Sequence, residues 1–595
     1  MGFIKTLSNK LSYLPEFGIQ NGKKLHGRAL NWGIGFIAGC GFMFGYDQGV
    51  MSSLLTLDDF QRQFPTATPY SASNPLCEEE GMCTGTPELQ SNMVSIYQIG
   101  CFLGAVLVLF FGDSWGRRSS TFYGTVIVTL GTVIQTSSHD YGTLCFGRIF
   151  GGIGNGMVTS TIPTWQSECA KPEDRGFLIM SEGMLIGFGI MTSYWVNYGF
   201  FFMEGSIRWR FPIAFQAVFS LIVIAGVFIL PDSPRWLLKK NHTKEAREVV
   251  ARLADEEPES EKVAEEMAIL EHTLALEGQK FSYREFLRHG KVQHFRRMML
   301  GVVAQAMQQF CGCNLITYYA TMLFEESLGF DASMSRFLAA INGTEYWVSA
   351  VIAMFFVERY GRAIYILNIL TLSIMEYSRK LMFVGVVGMM GSMAVLAGCL
   401  SSGTKDEFGA LILPEVEGYV GTVTLFTFNT FFTIGFLGMT WLYPAEINPL
   451  RTRVQANALS TCSNWLSNYV IVMITPPAIA NIGYGIYVIF AIFNFLFIPI
   501  IYFFYPETKA RSLEELDVLF AKANEEKISP VKMAQIMPKL EGVELERELI
   551  KYFNNDETSD GSLTDIEKTP SAKTALNDSL SSTNDGQQRD NSEKA

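Results

Sequence analysis

Twelve apolar blocks, each about 18 residues or longer and nearly free of charge, constrain this chain more than any other feature. They fall at about 30–53, 92–112, 119–138, 143–166, 177–199 and 209–230. After a polar interval come 297–322, 335–357, 381–402, 414–442, 454–478 and 483–505. A helix on a soluble core keeps a polar face, so its apolar residues form stripes rather than unbroken blocks. Only 17% of the 595 residues are charged, against roughly a quarter in soluble proteins. The chain reads as an all-α membrane protein with twelve transmembrane helices.

The polar interval divides the blocks six and six. Residues 1–29 read as a cytoplasmic N-terminal segment and 30–230 as an N-terminal six-helix bundle. A cytoplasmic helical linker follows at 231–296, then a C-terminal six-helix bundle at 297–505 and a cytoplasmic tail at 506–595. Ala246 to Ala275 is rich in Glu, Lys and Ala and predicts amphipathic helices in the linker. The tail is acidic and rich in Ser, Thr and Asn, which predicts disorder over most of it after about 525. Residues 1–29 lack the short apolar run and cleavage site of a secretory signal, so the first block is expected to direct its own insertion.

Basic residues collect on one side: Lys5, Lys10, Lys23, Lys24 and Arg28 before span 1, then Arg117 and Arg118, Lys171 and Arg175, Arg235, Arg451 and Arg453, and Lys509 and Arg511. The loop 54–91 has Arg62 as its only basic residue, beside Asp58, Asp59, Glu78, Glu79, Glu80 and Glu88. The positive-inside rule therefore predicts cytoplasmic termini in a multi-pass protein, by default of the plasma membrane. The net charge of −12 comes mostly from that loop and the tail, and implies no nucleic-acid partner. Most of the ten cysteines sit in apolar blocks, so no disulfide framework is expected; Cys77 and Cys83, in the polar loop, can bridge. Cys311 and Cys313 read as small packing residues, and no metal or cofactor is expected.

Two charged patterns occur once in each half. Asp113-Ser114-Trp115-Gly116-Arg117-Arg118 follows span 2 and Glu358-Arg359-Tyr360-Gly361-Arg362 follows span 8. Glu168 precedes Arg175 by seven residues after span 4, and Glu446 precedes Arg453 by seven after span 10. Pro231-Asp232-Ser233-Pro234-Arg235 is echoed by Pro506-Glu507-Thr508-Lys509-Ala510-Arg511. Matching charges imply two bundles related by an axis along the membrane normal. Basic residues alone would set topology; acids at fixed spacing suggest ion pairs that latch the bundles together.

With these residues the region 30–520 resembles the sugar porters of the major facilitator superfamily. Gly116-Arg117-Arg118, the Pro231 to Leu237 run, Gln308-Gln309-x-x-Gly312-x-Asn314 and Pro506-Glu507-Thr508-Lys509 carry the likeness. Phe44 to Gly49, Ser160 to Glu168 and Ser512 to Asp517 make it most similar to the fungal subgroup that contains the glycerol–proton symporter. The resemblance implies the major facilitator fold, alternating access between bundles, and a monomer.

A charge in hydrocarbon costs on the order of 3 kcal/mol or more, so each needs a partner or a wet path. Asp47 and Arg148 lie about six and five residues from the outer ends of spans 1 and 4. At about 1.5 Å per residue they share a depth and can pair. A proton on Asp47 would break the pair and couple proton entry to solute entry; the alternative is a permanent structural pair. The resemblance favours coupling, since proton-linked sugar porters carry an acid and an arginine at these positions, although some fungal facilitators keep the acid too. All six histidines lie outside the blocks. Gln308, Gln309 and Asn314, with Tyr318 a turn further, present donors and acceptors suited to uncharged hydroxyls; packing between helices is the alternative. The resemblance implies that they line the solute site, with Trp441 stacking on the solute and Asn468 adding a contact.

The departures bear on the solute. Where hexose porters carry a span 5 glutamine stands Gly183, beside Glu182; the span 8 asparagine aligns with Tyr346, beside Glu345; the span 10 glutamate aligns with Thr433. Lost amides and added bulk favour a smaller solute such as glycerol. The Gly152-Ile153-Gly154-Asn155-Gly156 run follows no strand, so it reads as close helix packing and not as a dinucleotide loop.

Ala363 to Ser378 separates Gly361-Arg362 from Arg379-Lys380 where the family runs on without a gap. A crossing there would invert every later span, so the segment is expected along the inner surface. Deleting it restores the motif, which suggests a retained intron or gene-model error; sequencing the transcript decides. The reading is secondary active transport of a sugar or polyol, glycerol favoured, by proton symport. Its partners are a small neutral polyhydroxylated solute, the proton and the lipid bilayer. An uncoupled hexose facilitator and a non-transporting nutrient sensor are the alternatives; an enzyme is not expected, since no nucleophile–base set appears.

Overall fold

The computed structural model describes residues 16, 24–27, 29–30, 33–36, 44–70, 74–78, 82–169, 175–276, 290–359, 377–405, 411–449, 452–508, 511, 513–540 and 542–553. Each apolar block is helical over most of its described residues. Span 1 is described at 33–36 and as α1 (Phe44–Leu54); spans 2 to 6 are α2 (Pro87–Trp115), α3 (Arg117–Thr136), α4 (Tyr141–Cys169), α5 (Arg175–Phe201) and α6 (Ile207–Val227). Span 7 is broken into α7 (His294–Phe310) and α8 (Cys313–Met322). Spans 8 and 9 are α9 (Ala332–Arg359) and α10 (Tyr377–Ser401). Span 10 runs through α11 (Glu415–Phe432), a π turn (Thr433–Leu437) and α12 (Met439–Ile447), and spans 11 and 12 are α13 (Arg453–Ile482) and α14 (Gly485–Phe504). Seven of these passages are by themselves long and apolar enough to cross a bilayer. A two-residue antiparallel ribbon, Thr404–Lys405 against Leu411–Ile412, sits in the loop after α10.

Each half is a bundle. In the first, α4 packs on α2 and α3, α1 on α5, and α3 on α6; in the second, α10 packs on α11 and α14, and α7 on α13. Glycines set how close the helices come. A Cβ on Gly156 would run into the Cys101 carbonyl, one on Gly152 into that of Tyr97, and one on Gly154 into that of Gly124. The glycine run of α4 is thus a packing stripe against two neighbours, which gain dispersion contact where side chains would hold them apart. The halves meet where α2 lies along α13, α5 along α9, and α1 against α8. Ser53 and Thr321 hydroxyls sit 2.9 Å apart across this seam, and Trp195 Nε1 donates to Thr344 Oγ1 at 2.9 Å.

Gly312 breaks span 7 at φ +99°, in the left-handed region that favours glycine. A Cβ there would lie 2.9 Å from Met393 Cε and 3.0 Å from Phe490 Cγ. Gly312→Ala should therefore destabilise the protein by about 1–3 kcal/mol through backbone strain. A lowered unfolding temperature in detergent checks this; an unchanged one means the break does not depend on glycine.

In the linker, helices Pro234–Lys239, Thr243–Ala254 and Glu261–Leu276 turn Ala246, Val249, Val250, Leu253, Val263 and Met267 onto Leu30, Ile34, Trp165, Leu230 and Trp236. That contact seats the linker on the ends of spans 1 and 4. In the loop after α1, Cys77 and Cys83 form a disulfide. Most of the tail expected to be disordered, residues 554–595, lies outside the described residues; the part before it is described as helices. Helix Leu513–Glu525 is followed by Pro530–Ile536, which has proline at its first position, and a separate unit from 538 contains helix Gly542–Phe553. That last helix has an amphipathic sequence, which average tail composition conceals.

Candidate functional site

Asp47 on α1 and Arg148 on α4 meet with 3.4 Å between Nη2 and Oδ2, and the same distance between Nη1 and Oδ1. They are 2% and 0% exposed. The guanidinium also donates to the Val94 carbonyl at 3.1 Å and to Gln135 Oε1 at 3.5 Å, and it lies over the Tyr97 ring. Two ions this deep are tolerated because the Coulomb gain and these extra acceptors offset desolvation. Neutralising the acid would leave Arg148 with neutral acceptors only, a large local change from one proton.

The span 7 amides form a chain rather than isolated groups. Asn314 Nδ2 donates to Gln309 Oε1, and Gln309 Nε2 to Gln308 Oε1 at 3.3 Å. Gln308 Nε2 donates to the Phe436 carbonyl in the π turn of span 10 at 3.1 Å. Two members escaped the sequence reading. Asn464 on α13 donates to both Gln305 Oε1 and Gln308 Oε1, the latter at 3.0 Å, and Gln305 Nε2 reaches the Thr440 carbonyl at 3.0 Å. The signal was present: Gln305 lies one turn before Gln308 and Gln309, and Asn464 one turn before Asn468, on the same helix faces. Asn468 is buried and its Oδ1 accepts no hydrogen bond among the described residues.

Other candidates surround this chain. Trp441 is buried in α12, just past the π turn. The Tyr318 hydroxyl donates across the seam to Gln98 at 2.8 Å, with the Gln98 amide turned so that its nitrogen meets the Val94 and Ser95 carbonyls. Tyr346 stacks on Phe432, and a Cβ on Gly187 would lie 3.0 Å from its ring, so its bulk fills the space between α9 and α5. Glu182 is buried on α5 with neither carboxylate oxygen hydrogen-bonded among the described residues.

At the basic face Arg117 grips Glu168 through two bonds, Nε to Oε2 at 3.0 Å and Nη2 to Oε1 at 2.9 Å, and pairs with Asp113 at 3.4 Å. Arg453 donates to the Asn448 carbonyl, and Glu446 accepts from Thr508 Oγ1 at 2.9 Å. These contacts tie helices within a half; Gln455 Nε2 crosses the seam to donate to Asp113 Oδ2 at 3.5 Å. The side chains of Arg175 and Glu358, and all of Arg362, lie outside the described residues.

A deeper symmetry links the two halves. Asp232 Oδ1 accepts from the Arg117 N–H at 3.2 Å while Arg118 Nε donates to the Val227 carbonyl at 2.7 Å. In the second half Glu507 Oε2 accepts from the Arg379 N–H at 3.1 Å while Arg379 Nη2 donates to the Tyr502 carbonyl at 2.8 Å. Burial, first among the influences on Asp232, raises its carboxyl above the usual range against the Ser233 and Arg117 groups that favour the charge. Arg379 thus holds the place of the Arg117–Arg118 pair. The segment 363–378 that separates it from Gly361-Arg362 lies outside the described residues, apart from the start of α10.

The profile of the sugar (and other) transporter family matches residues 35–520. The chain belongs to that family. This sugar porter is 37% identical over 528 residues to the sugar transporter STL1 of Saccharomyces cerevisiae, a match that covers 88% of this chain and 87% of the relative. It is 36% identical to the major facilitator superfamily transporter mfsA of Aspergillus fumigatus, over 88% of this chain and 93% of that one. The fold matches the proton:xylose symporter XylE bound to 6-bromo-6-deoxy-D-glucose, with a TM-score of 0.65 and 22% identity over 83% of this chain and all of that one. The porter is therefore a multi-pass membrane transporter of two six-helix bundles.

Proposed function

We propose that this sugar porter carries a small neutral polyol, glycerol favoured, in symport with a proton. The observation that carries the reading is the Asp47–Arg148 pair, buried in the same bundle whose seam faces the amide chain of spans 7 and 11. Amides that both donate and accept suit hydroxyls, and a carboxylate paired with one arginine is a site where a proton changes the local charge balance. Gln308, Gln309, Asn314, Tyr318, Trp441 and Asn468 would bind the solute, with Glu182 and Tyr346 bounding it from the facing side. The bulk of Tyr346 against Gly187 favours a short solute over a hexose ring. The basic face is assigned to the cytosol, both termini with it, in a monomer of the plasma membrane. There Asp113, Arg117, Arg118, Glu168, Arg175, Glu358, Arg362, Glu446 and Arg453 would brace the helix ends while the halves rock.

The test uses the full chain in proteoliposomes that contain a pH indicator. Labelled glycerol is expected to enter and to acidify the lumen, with glucose the poorer solute. Glucose entry without proton movement would establish the uncoupled hexose facilitator instead, a reading favoured by the 28% and 29% identity to high- and low-affinity glucose transporters of Kluyveromyces lactis. No entry of either solute would leave the sensor reading.

A further inference from the structure

Among the described residues, Glu182 stands apart from the other acids of the bundles. It is 1% exposed, and neither carboxylate oxygen has a hydrogen-bond partner among the described residues. The helices packed on α5 offer it no counter-ion, because their described charged groups are engaged elsewhere. On α1 and α4, Asp47 pairs with Arg148, and Glu168 with Arg117. On α6, Arg208 pairs with Asp59, and Arg210 donates to the Thr136 and Ser138 carbonyls. On α9, Arg336 pairs with Glu325, and Glu345 accepts from Ser349 and Thr430; on α12, Glu446 accepts from Thr508. Of the phenols on the packed helices, Tyr46 donates to Pro212 O and Tyr443 to Pro506 O.

Its depth is fixed by its neighbours. A Cβ on the adjacent Gly183 would lie 3.0 Å from Leu437 Cγ and 3.8 Å from the Gly438 nitrogen, in the stretch of span 10 whose carbonyls take Gln308. Gly189, two turns further along α5, packs against the Gly45–Tyr46 backbone beside Asp47. Glu182 therefore lies about 10 Å nearer the basic face than the Asp47 pair, level with the amide chain on the opposite half.

An ionised carboxyl with no donor and no cation in a closed interior is strongly disfavoured, and it becomes tolerable once water reaches it. The adjacent Gly183 meets span 10 across the seam between the halves, one residue from the α1-facing side of α5 that carries Glu182 together with Gly189. Parting of the halves on the basic side would open that contact. We propose that Glu182 is a second proton-binding carboxyl of the transport cycle, protonated in the closed seam and discharged when the halves part on the basic face. In that step the carboxyl O–H bond breaks and the proton passes to water on that side, while the electron pair stays on the carboxylate. Asp47 would load from the opposite side. This rests on the proton-symport reading.

The experiment follows labelled glycerol transport by the full chain in oriented proteoliposomes, with the pH varied on one side at a time. A single titrating group changes its minority protonated or ionised fraction about tenfold per pH unit beyond its midpoint. Wild-type rates are expected to vary by about that factor with pH on the basic-face side. Glu182→Gln, neutral and of the same shape, should flatten that dependence and keep the dependence on the opposite side. Glu182→Asp should restore it with a displaced midpoint, a rescue that a purely structural role would not produce. A glutamine variant with the wild-type profile on the basic-face side would overturn the inference, as would an aspartate variant as flat as the glutamine one. Wild-type vesicles that move no glycerol, or move it without protons, would instead bring down the symport reading, and this inference with it.

Discussion

Asp47→Asn is expected to bring solute accumulation down to simple equilibration while exchange across the membrane stays measurable. One proton falling through 100 mV releases about 2.3 kcal/mol. At about 1.4 kcal/mol per factor of ten, that supports roughly a forty-fold solute gradient, which is the size of the effect at stake. Asparagine keeps the shape of the side chain and one acceptor for Arg148 but binds no proton. Arg148 keeps the Val94 carbonyl and Gln135, so the helices around it stay satisfied. The variant should cycle with solute alone, and a cycle that carries no proton has no access to the potential. The steady-state ratio of internal to external label in energised cells or vesicles reads this directly. A ratio equal to that of the wild type would rule out Asp47 as the carrier.

The sequence made this pair legible because depth in a spanning helix is simple arithmetic on residue number. The twelve passages and the packing role of the α4 glycines were legible for related reasons, since block length and small-residue runs are local properties. Contacts that depend on tertiary register were not. Gln305 and Asn464 carry the same amide chemistry as their neighbours a turn away, and only the approach of α7 to α13 distinguishes them. The charged motifs were visible as paired patterns, but the sequence could not say whether each pair closes within a half or across the seam. Arg117 pairs with Glu168 of its own half, while Gln455 of the other half reaches Asp113 across the seam. Helix Gly542–Phe553 was hidden by averaging over a polar tail, where a twelve-residue stripe is diluted.

Gln308→Ala is expected to cost more than any other single truncation of the amide chain, because this side chain joins three helices. Its nitrogen serves the Phe436 and Leu437 carbonyls of the π turn, and its oxygen takes both Asn464 and Gln309. Truncation leaves those carbonyls and two buried amide donors without that partner. Each orphaned group costs about 1–3 kcal/mol. Where the loss falls on the solute-competent arrangement, glycerol affinity should drop on the order of a hundredfold or more. Asn464→Ala should act in the same direction through the same bond. The double variant should therefore lose less than the sum of the two, with a coupling of about 1 kcal/mol or more, as expected for groups in direct contact. Gln309→Ala, which breaks only the links to Gln308 and Asn314, should be milder. Kinetic constants for glycerol uptake by the wild type and the four variants measure all three effects. Strictly additive losses would mean that the amides act separately on the solute, and that the chain through spans 7, 10 and 11 does not shape the site.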